Sequence, residues 1–198
     1  VFYEESYAGR RFQMNRYNPT TGESDSIFAR SSNDSYSDIG SPITTKNNFG
    51  RQVLIVLKNK ELILDAEGAS DEGDMPLIQT FDITTGKTTK LWQCKAPFYE
   101  YLVKLIDPVK FKFITVRESQ TEITNYYLHS TVKKQLIEKA LTAFENPYKL
   151  LDGVKRQKIT YKRSDGITLS GNLYLPKDYD ATRDGKLPIL MWAYPIEY

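Results

Sequence analysis

Short runs of apolar and aromatic residues, separated by turn-forming residues, follow one another along the first three quarters of the chain. This spacing predicts many short β-strands rather than helices. The strands fall into two successive groups, and residues 53–57, which are continuously apolar, are predicted to form a central strand of the first group. Four-stranded antiparallel groups in series are typical of a β-propeller, while a β-sandwich stays open as the alternative. The predicted strands are 53–57, 61–65, 77–83 and 88–92 in the first group, and 101–106, 110–116 and 124–128 in the second.

A local repeat supports the propeller interpretation. The stretch YNPTTGESDSIF begins at Tyr17, and FDITTGKTTKLW begins at Phe81. Each predicts a hairpin turn in which the Asn or Asp side chain caps the first backbone amides, and Gly22 or Gly86 takes a positive φ. The two copies lie farther apart than one blade of ~40–50 residues requires, and the polar insert at residues 66–76 accounts for much of the excess.

Residues 131–145 carry two competing patterns. Apolar side chains at helical spacing would suit an amphipathic helix. The repeat instead requires a fourth strand near residues 135–138. We predict the strand, followed by a loop.

Beyond Asn146 and Pro147 the pattern changes to a hairpin of alternating apolar and polar residues. A two-residue turn would place Lys162 opposite Leu169, on the apolar face. A three-residue turn at 164–166 pairs Tyr161 with Leu169 instead. Since a shift of one residue inverts the faces of a strand, we predict the three-residue turn, with Gly166 in the left-handed region.

The chain ends LPILMWAYPIEY, in which residues 187–193 are predicted to form a buried strand. Such a strand normally lies between other strands and beneath helices. The start at Val1 shows no signal-peptide pattern. We therefore expect a fragment of a longer protein, whose remaining domain, or the chain's own hairpin, covers the final strand.

Composition narrows the classes of partner. The 198 residues are 40% hydrophobic and 26% charged, with a formal net charge of +2, so no nucleic-acid partner is indicated. No apolar stretch approaches the ~20 residues of a membrane helix. Cys94 is the single cysteine, which excludes an intrachain disulfide and leaves the compartment open, with a periplasmic or secreted location among the alternatives.

No complete catalytic motif is present: G-x-S-x-G, a phosphate loop, H-E-x-x-H and C-x-x-C are all missing. The acidic insert at 71–74 lacks the ligand spacing of a calcium loop and is predicted to be a solvated loop. His129, the single histidine, is predicted to have a structural or surface role. Trp92 and Trp192 are predicted to be packing residues, and no cofactor or metal is predicted.

The motifs taken together resemble the prolyl oligopeptidase family of serine peptidases. The hairpin ITYKRSDGITLSGNLYLPKDYD, the link ATRDGKLP and the run ILMWAYP are similar to the opening of that family's α/β-hydrolase domain. The glutamyl endopeptidase-like branch is the most similar. The upstream stretch LWQCKAPFYEYLVKLID and the NPY before the change of pattern resemble the end of the family's propeller.

The resemblance implies a mainly β fold, with the last blades of a propeller over residues 1–147 and the first strands of a truncated α/β-hydrolase domain over 148–198. The family's Ser-Asp-His triad would lie beyond this chain. In the family, a Tyr just after the strand that corresponds to residues 187–193 donates its hydroxyl to the oxyanion of the tetrahedral intermediate. Tyr194 is the matching residue. Other branches have glycines beside this Tyr, whereas residues 195–197 are Pro-Ile-Glu here. Glu197 could pair with a substrate cation or with a neighbouring base.

The implied activity is serine-type hydrolysis of peptide bonds, with the propeller limiting access to small or unfolded peptides. The 198 residues alone should be inactive, because they hold neither nucleophile nor base. Two alternatives stay open: a non-catalytic propeller binding module, and a dipeptidyl-type exopeptidase of the same superfamily.

Overall fold

The computed structural model describes residues 1–58 and 60–193, which are mainly β-structure with antiparallel pairing throughout. No helix among these residues is long and apolar enough to cross a membrane. The helical elements are a short 3-10 helix at Lys149–Leu151 and α1 at Ala181–Asp184. The strands are β1 (Phe2–Ser6), β2 (Arg11–Tyr17), β3 (Ser24–Ser31), β4 (Ser41–Pro42), β5 (Thr44–Lys46), β6 (Gln52–Leu54), β7 (Glu61–Ala66), β8 (Leu77–Asp82), β9 (Thr88–Gln93), β10 (Tyr99–Asp107), β11 (Lys112–Glu118), β12 (Asn125–Val132), β13 (Gln135–Ala140), β14 (Lys155–Lys162) and β15 (Thr168–Leu175).

Three sheets follow one another along the chain. The first has the order β1-β2-β3, the second β4-β7-β8-β9 and the third β10-β11-β12-β13, while β5-β6 and β14-β15 form separate pairs. Consecutive strands are neighbours in the third sheet, as the strand pattern predicts. The fourth strand expected near residues 135–138 is confirmed as β13, so the helical alternative for 131–145 is wrong.

The second sheet lies between the other two, and its strands β7 and β8 are buried on both faces. Leu62 and Leu64 of β7 point to the first sheet, where the apolar cluster includes the partly buried Phe28. Ile63, between them in sequence, points the other way and packs in a cluster with Phe113 of the third sheet. Because side chains alternate along a strand, one continuous apolar run supplies both interfaces.

Both repeated hairpin turns have the predicted geometry. The side chains of Asn18 and Asp82 each accept a hydrogen bond from the amide two residues on, at 3.0 and 2.7 Å. Gly22 and Gly86 have φ of +75° and +71°. The sequence repeat is therefore a structural repeat, and it joins β2 to β3 and β8 to β9.

The predicted central strand at 53–57 is wrong. The strand ends at Leu54 and pairs with β5, outside the second sheet, and only an isolated bridge joins Val56 to Leu62. The same edge of β7 pairs with β4 instead, at Leu64 and Asp65. Two segments thus share a single edge, which leaves neither with the length of a full strand.

The hairpin β14–β15 has the predicted register. Tyr161 pairs with Leu169, Ile159 pairs with Gly171, and Gly166 has φ of +88°. The three-residue turn is confirmed, and it keeps the apolar side chains on one face of the hairpin.

The prediction of a buried strand at residues 187–193 is wrong. None of these residues is in a strand, and Ile189, Leu190 and Trp192 are 87%, 99% and 90% exposed. The packing role predicted for Trp192 and the cover expected from the chain's own hairpin are therefore wrong too. A strand needs a paired neighbour for its backbone groups, and no described strand lies beside this segment.

Gly40 lies where the chain enters the second sheet, and its replacement should destabilise the fold. It has φ of +87°, and an added Cβ would lie 2.2 Å from the Asp65 carbonyl oxygen. We expect Gly40→Ala to lower the free energy of unfolding by about 2–3 kcal/mol, since both the backbone conformation and the contact are unfavourable. Urea denaturation of the 198-residue chain measures this.

Gly86→Ala is the matched control, because Gly86 also has a positive φ but no atom within 4 Å of an added Cβ. It should cost only the conformational term of about 1–2 kcal/mol. Equal losses in the two variants would contradict the close approach at Gly40.

Candidate functional site

The residue that sequence resemblance marks as functional, Tyr194, lies outside the described residues, as does Glu197. Their predicted roles therefore stay predictions. Among the described residues, a buried polar cluster in the third sheet brings together a histidine, carboxylates and a hydroxyl.

The pairing of four strands brings this cluster together. His129 of β12 lies opposite Phe113 on one side and Glu138 of β13 on the other, while Glu100 of β10 lies opposite Arg117 of β11. Alternate residues of a strand share a face, so these side chains and Thr115 all point towards the second sheet. Residues far apart in sequence thus meet because the register places them on one face.

Hydrogen bonds tie the centre of the cluster together. The Thr115 hydroxyl donates to the Glu100 carboxylate, and His129 Nε2 lies 2.9 Å both from that carboxylate and from the Thr115 oxygen. Glu100, Thr115 and His129 are at most 5% exposed. Arg117 bridges to the periphery, with Nη1 at 2.8 Å from Glu138 Oε1 and 3.9 Å from Glu100 Oε2.

Aromatic rings enclose the charged groups. The His129 ring stacks on Phe113 at 4.6 Å between centroids and meets the edge of Trp92 at 5.7 Å. The Arg117 guanidinium lies 3.6 Å from the centroid of the Tyr127 ring. The prediction that Trp92 packs is confirmed by these contacts. Of the two roles predicted for His129, structural or surface, its burial of all but 3% of its surface favours the structural one.

The surroundings of Glu100 favour its charged form. Burial acts against that form, but hydrogen bonds from His129 and Thr115, and attraction to His129 and Arg117, outweigh it. The pKa of Glu100 is therefore lowered from its ordinary value. A carboxylate held in this way stabilises the fold at neutral pH.

The cluster contains a hydroxyl, an imidazole and a carboxylate, but it is not a hydrolytic triad. In a triad the hydroxyl and the carboxylate contact different ring nitrogens, so that the carboxylate orients the base. Here Thr115 and Glu100 both contact Nε2 of His129. All three residues are also buried between two sheets, where a peptide cannot reach them.

The donor atoms of Glu100, His129 and Glu138 lie within 4.8 Å of one another, which raises the question of a metal. Arg117 places a positive charge among these donors and already binds Glu138. His129 Nε2 is occupied by two hydrogen bonds. The donor set fits a self-satisfied polar network better than a cation site.

A second unusual carboxyl group lies on the opposing sheet. Burial, reinforced by the charge of Glu67, raises the pKa of Asp65 to about 6. Its surroundings include a cavity of about 430 Å³ that Tyr99 and Tyr101 also line. No ion pair to Asp65 is found among the described residues. Sequence inspection missed this group because its burial depends on β10 of the next sheet.

The acidic insert at 71–74 is the solvated loop that its composition predicts. Asp71, Glu72 and Asp74 are exposed, and Asp71 accepts a hydrogen bond from the Tyr36 hydroxyl at 3.2 Å. The loop is closed by its own backbone and by Ser70, which donates to the Gly73 carbonyl.

A cleft of about 1200 Å³ lies between the loop after β11 and the segment that leads into β14. Glu118, Glu122 and Glu145 line it together with Lys155 and Arg156. The cleft is therefore lined by both negatively and positively charged side chains. It lies beside residue 147, where the sequence pattern changes.

Comparison with known proteins gives two plant relatives. The chain is 38% identical over 185 residues to a rice (Oryza sativa subsp. japonica) protein named "Probable glutamyl endopeptidase, chloroplastic", covering 87% of this chain and 20% of that protein. It is 33% identical over 214 residues to an Arabidopsis thaliana protein of the same name, covering 100% and 22%. The chain thus spans about a fifth of the length of these curated relatives. No family model and no solved structure matches it.

Proposed function

We propose that this chain is part of a serine peptidase of the prolyl oligopeptidase family, in its glutamyl endopeptidase-like branch, which hydrolyses peptide bonds in peptides. The observation that carries the proposal is the similarity of almost the whole chain to two proteins named as probable glutamyl endopeptidases. Identity of 33–38% over this length supports a common fold and a related activity.

The arrangement of the sheets supports a propeller for residues 1–147. Two four-stranded antiparallel sheets follow each other, and the second sheet packs on neighbours through both faces. Tyr126 and Ile137 lie on the face of the third sheet opposite His129, and both are exposed. In a propeller such a face packs on the next blade.

The remaining residues, 148–198, would open the α/β-hydrolase domain. The hairpin β14–β15 supports this, because one of its faces carries apolar side chains, none of which is fully buried among the described residues. A two-stranded hairpin gains stability when such a face packs on further structure. The rest of the catalytic domain would provide that surface.

The proposed chemistry is acyl transfer. A serine outside this chain would attack the scissile carbonyl, with a histidine as base oriented by an aspartate. The chain's single histidine, His129, is buried in the third sheet and is not available as that base. The hydroxyl of Tyr194 would donate to the oxyanion as negative charge develops on the carbonyl oxygen.

The names of the relatives also suggest the substrate. We propose cleavage beside glutamyl residues of peptides small or unfolded enough to pass the propeller. A site selective for the Glu side chain needs a fixed positive group to pair with its carboxylate. Matched peptides that differ only by Glu→Gln at the cleaved residue would measure that selectivity as a ratio of kcat/KM.

A fluorophosphonate probe, which labels activated serines, tests the serine mechanism. We expect no labelling of the 198-residue chain, and stoichiometric labelling of the longer protein at a serine outside these residues. Specific labelling within residues 1–198 would overturn the account of where the nucleophile lies. A longer protein that neither reacts nor cleaves peptides would instead favour a non-catalytic binding module.

A further inference from the structure

The hairpin β14–β15 has two faces of different character, because alternate residues of a strand point to opposite sides. Exposure alternates along β15: its leucines are half-buried, and the residues between them on the other face are exposed. We call that exposed side the basic face. It consists of Arg156, Lys158, Thr160 and Lys162 of β14, all exposed, and the alternate residues of β15 from Thr168 to Tyr174 that pair with them. A domain that covers the leucines leaves the basic face free.

All the charge on the basic face is positive. Arg156, Lys158 and Lys162 carry it, and the other residues of the face have hydroxyl or amide side chains. Residues 155–163 hold five of the chain's 27 basic residues and no acidic one, which leaves 22 basic against 25 acidic residues elsewhere. The positive charge is therefore concentrated on this hairpin, within a chain that is otherwise slightly acidic.

An exposed arginine in another hairpin of the chain faces an acidic partner. Arg16 of β2 lies opposite Asp25 of β3, and its Nη2 is 2.9 Å from Oδ2 of that aspartate. On the basic face the residues opposite the cations are uncharged. No ion pair to Arg156, Lys158 or Lys162 is found among residues 1–58 and 60–193. These three cations are thus available to an acidic ligand from outside the chain.

Arg156 is held in place at one end of the face. Its Nε donates to Asn172 Oδ1 at 3.4 Å, and its guanidinium carbon lies 5.8 Å from the centre of the Tyr174 ring. A guanidinium held through Nε can still bind a carboxylate with its two terminal nitrogens. Arg156 also borders the cleft that the three glutamates line. An acidic ligand would therefore lie along the face from Arg156 towards Lys162, away from those carboxylates.

We propose that the basic face binds acidic segments of peptide substrates, outside the site where the bond is cleaved. The inference rests on the proposed function in one respect, because that proposal makes peptides the substrates. Alternate side chains of an extended peptide lie ~6.6–7 Å apart, which is also the spacing of Arg156 and Lys158 along β14, and Lys162 lies ~13 Å further on. Carboxylates at alternate positions of such a peptide can therefore reach all three cations.

A nucleic acid fits the basic face less well than an acidic peptide does. From residue 156 to residue 162 the strand spans ~20 Å, whereas duplex DNA carries one charge per ~1.7 Å and calls for a denser array of cations. Acidic residues also outnumber basic ones in the rest of the chain. The sparser charge of a peptide with acidic residues at alternate positions matches the three cations of the face.

Fluorescence anisotropy of the 198-residue chain with a short labelled peptide that has Glu at alternate positions tests the inference. We expect this peptide to bind, and a matched peptide with Gln in place of each Glu to show no measurable binding. The double variant Lys158→Gln/Lys162→Gln should weaken binding about five- to tenfold, because each exposed ion pair contributes only modestly. Added salt should weaken binding to the natural chain more than binding to the variant, because salt screens exposed charges.

Lys133→Gln/Lys134→Gln is the matched control. These two lysines are exposed in the β12–β13 turn, and the double variant changes the net charge by the same amount. It should bind the Glu peptide as the natural chain does. Equal losses in the two double variants would show that only net charge matters, and would overturn the inference. Tighter binding of a single-stranded oligonucleotide of equal charge than of the Glu peptide would overturn it too.

Kinetics of the proposed longer peptidase separate this inference from the proposed function. Adding an acidic segment to a cleaved peptide should lower KM and leave kcat unchanged, and Lys158→Gln/Lys162→Gln should abolish the gain. An unchanged KM would refute the inference, while cleavage itself would uphold the proposed function. Binding of the Glu peptide to the 198-residue chain, without cleavage by the longer protein, would refute the proposed function and leave the basic face as a binding surface for acidic peptides.

Discussion

Replacing Tyr194 by Phe in the proposed longer peptidase is expected to lower kcat by about 10²–10³-fold, equivalent to about 3–4 kcal/mol of transition-state stabilisation. The substitution removes one hydroxyl and keeps the ring. The proposed donor acts on charge that develops only in the tetrahedral intermediate, so KM should change much less than kcat. Steady-state kinetics with a glutamyl peptide measures both.

Tyr7→Phe is a matched control, because Tyr7 is 83% exposed in the first sheet's β1–β2 connection and loses the same atom. It should leave kcat unchanged. If Tyr194→Phe behaved like this control, the Tyr194 hydroxyl would have no role in catalysis, and other donors would stabilise the oxyanion. A loss confined to KM would likewise contradict the proposed role.

Local chemistry explains which parts of the fold were predictable from the sequence. The turns at Gly22 and Gly86 and the register of β14–β15 depend on side chains within a few residues, namely an Asx cap, a glycine and an alternating pattern. A slip of one residue would have placed Lys162 among leucines. Sequence alone therefore predicts these features reliably.

Features that depend on distant partners were less predictable. The apolar run at 53–57 is a good strand by composition, yet β4 competes with it for the edge of β7. The run at 187–193 is equally strand-like, but it is irregular because no described strand lies beside it. Strand propensity indicates that a segment suits a sheet, and the available neighbour decides whether it enters one.

The buried cluster shows the same limit at the level of a site. His129 could be assigned a structural role because no second histidine accompanies it. Its partner Glu100 lies in a different strand, two strands away across β11. The only sequence signal is that these polar residues occupy the inward positions of strands, which becomes visible once the register is known.

Replacing Glu100 by Ala is expected to lower the free energy of unfolding by about 3–5 kcal/mol, because it leaves the buried His129 and Thr115 without their shared acceptor. Arg117 would keep only its peripheral contact with Glu138. Denaturant unfolding of the 198-residue chain at neutral pH measures the loss. Glu145→Ala is the control, since Glu145 is exposed and its pair with Lys149 should contribute under about 0.5 kcal/mol.

Glu100→Gln isolates the charge, because it keeps the size of the side chain and an acceptor oxygen. The folded-state pKa of Glu100 is lowered, so its carboxylate stabilises the fold fully above the ordinary value of 4.5. That contribution is lost as the pH falls through the lower folded-state value. The stability difference between the natural chain and Glu100→Gln should therefore be greatest near neutral pH and shrink in acid. A difference that stays constant with pH would show that Glu100 acts through its shape and hydrogen bonds and not through its charge.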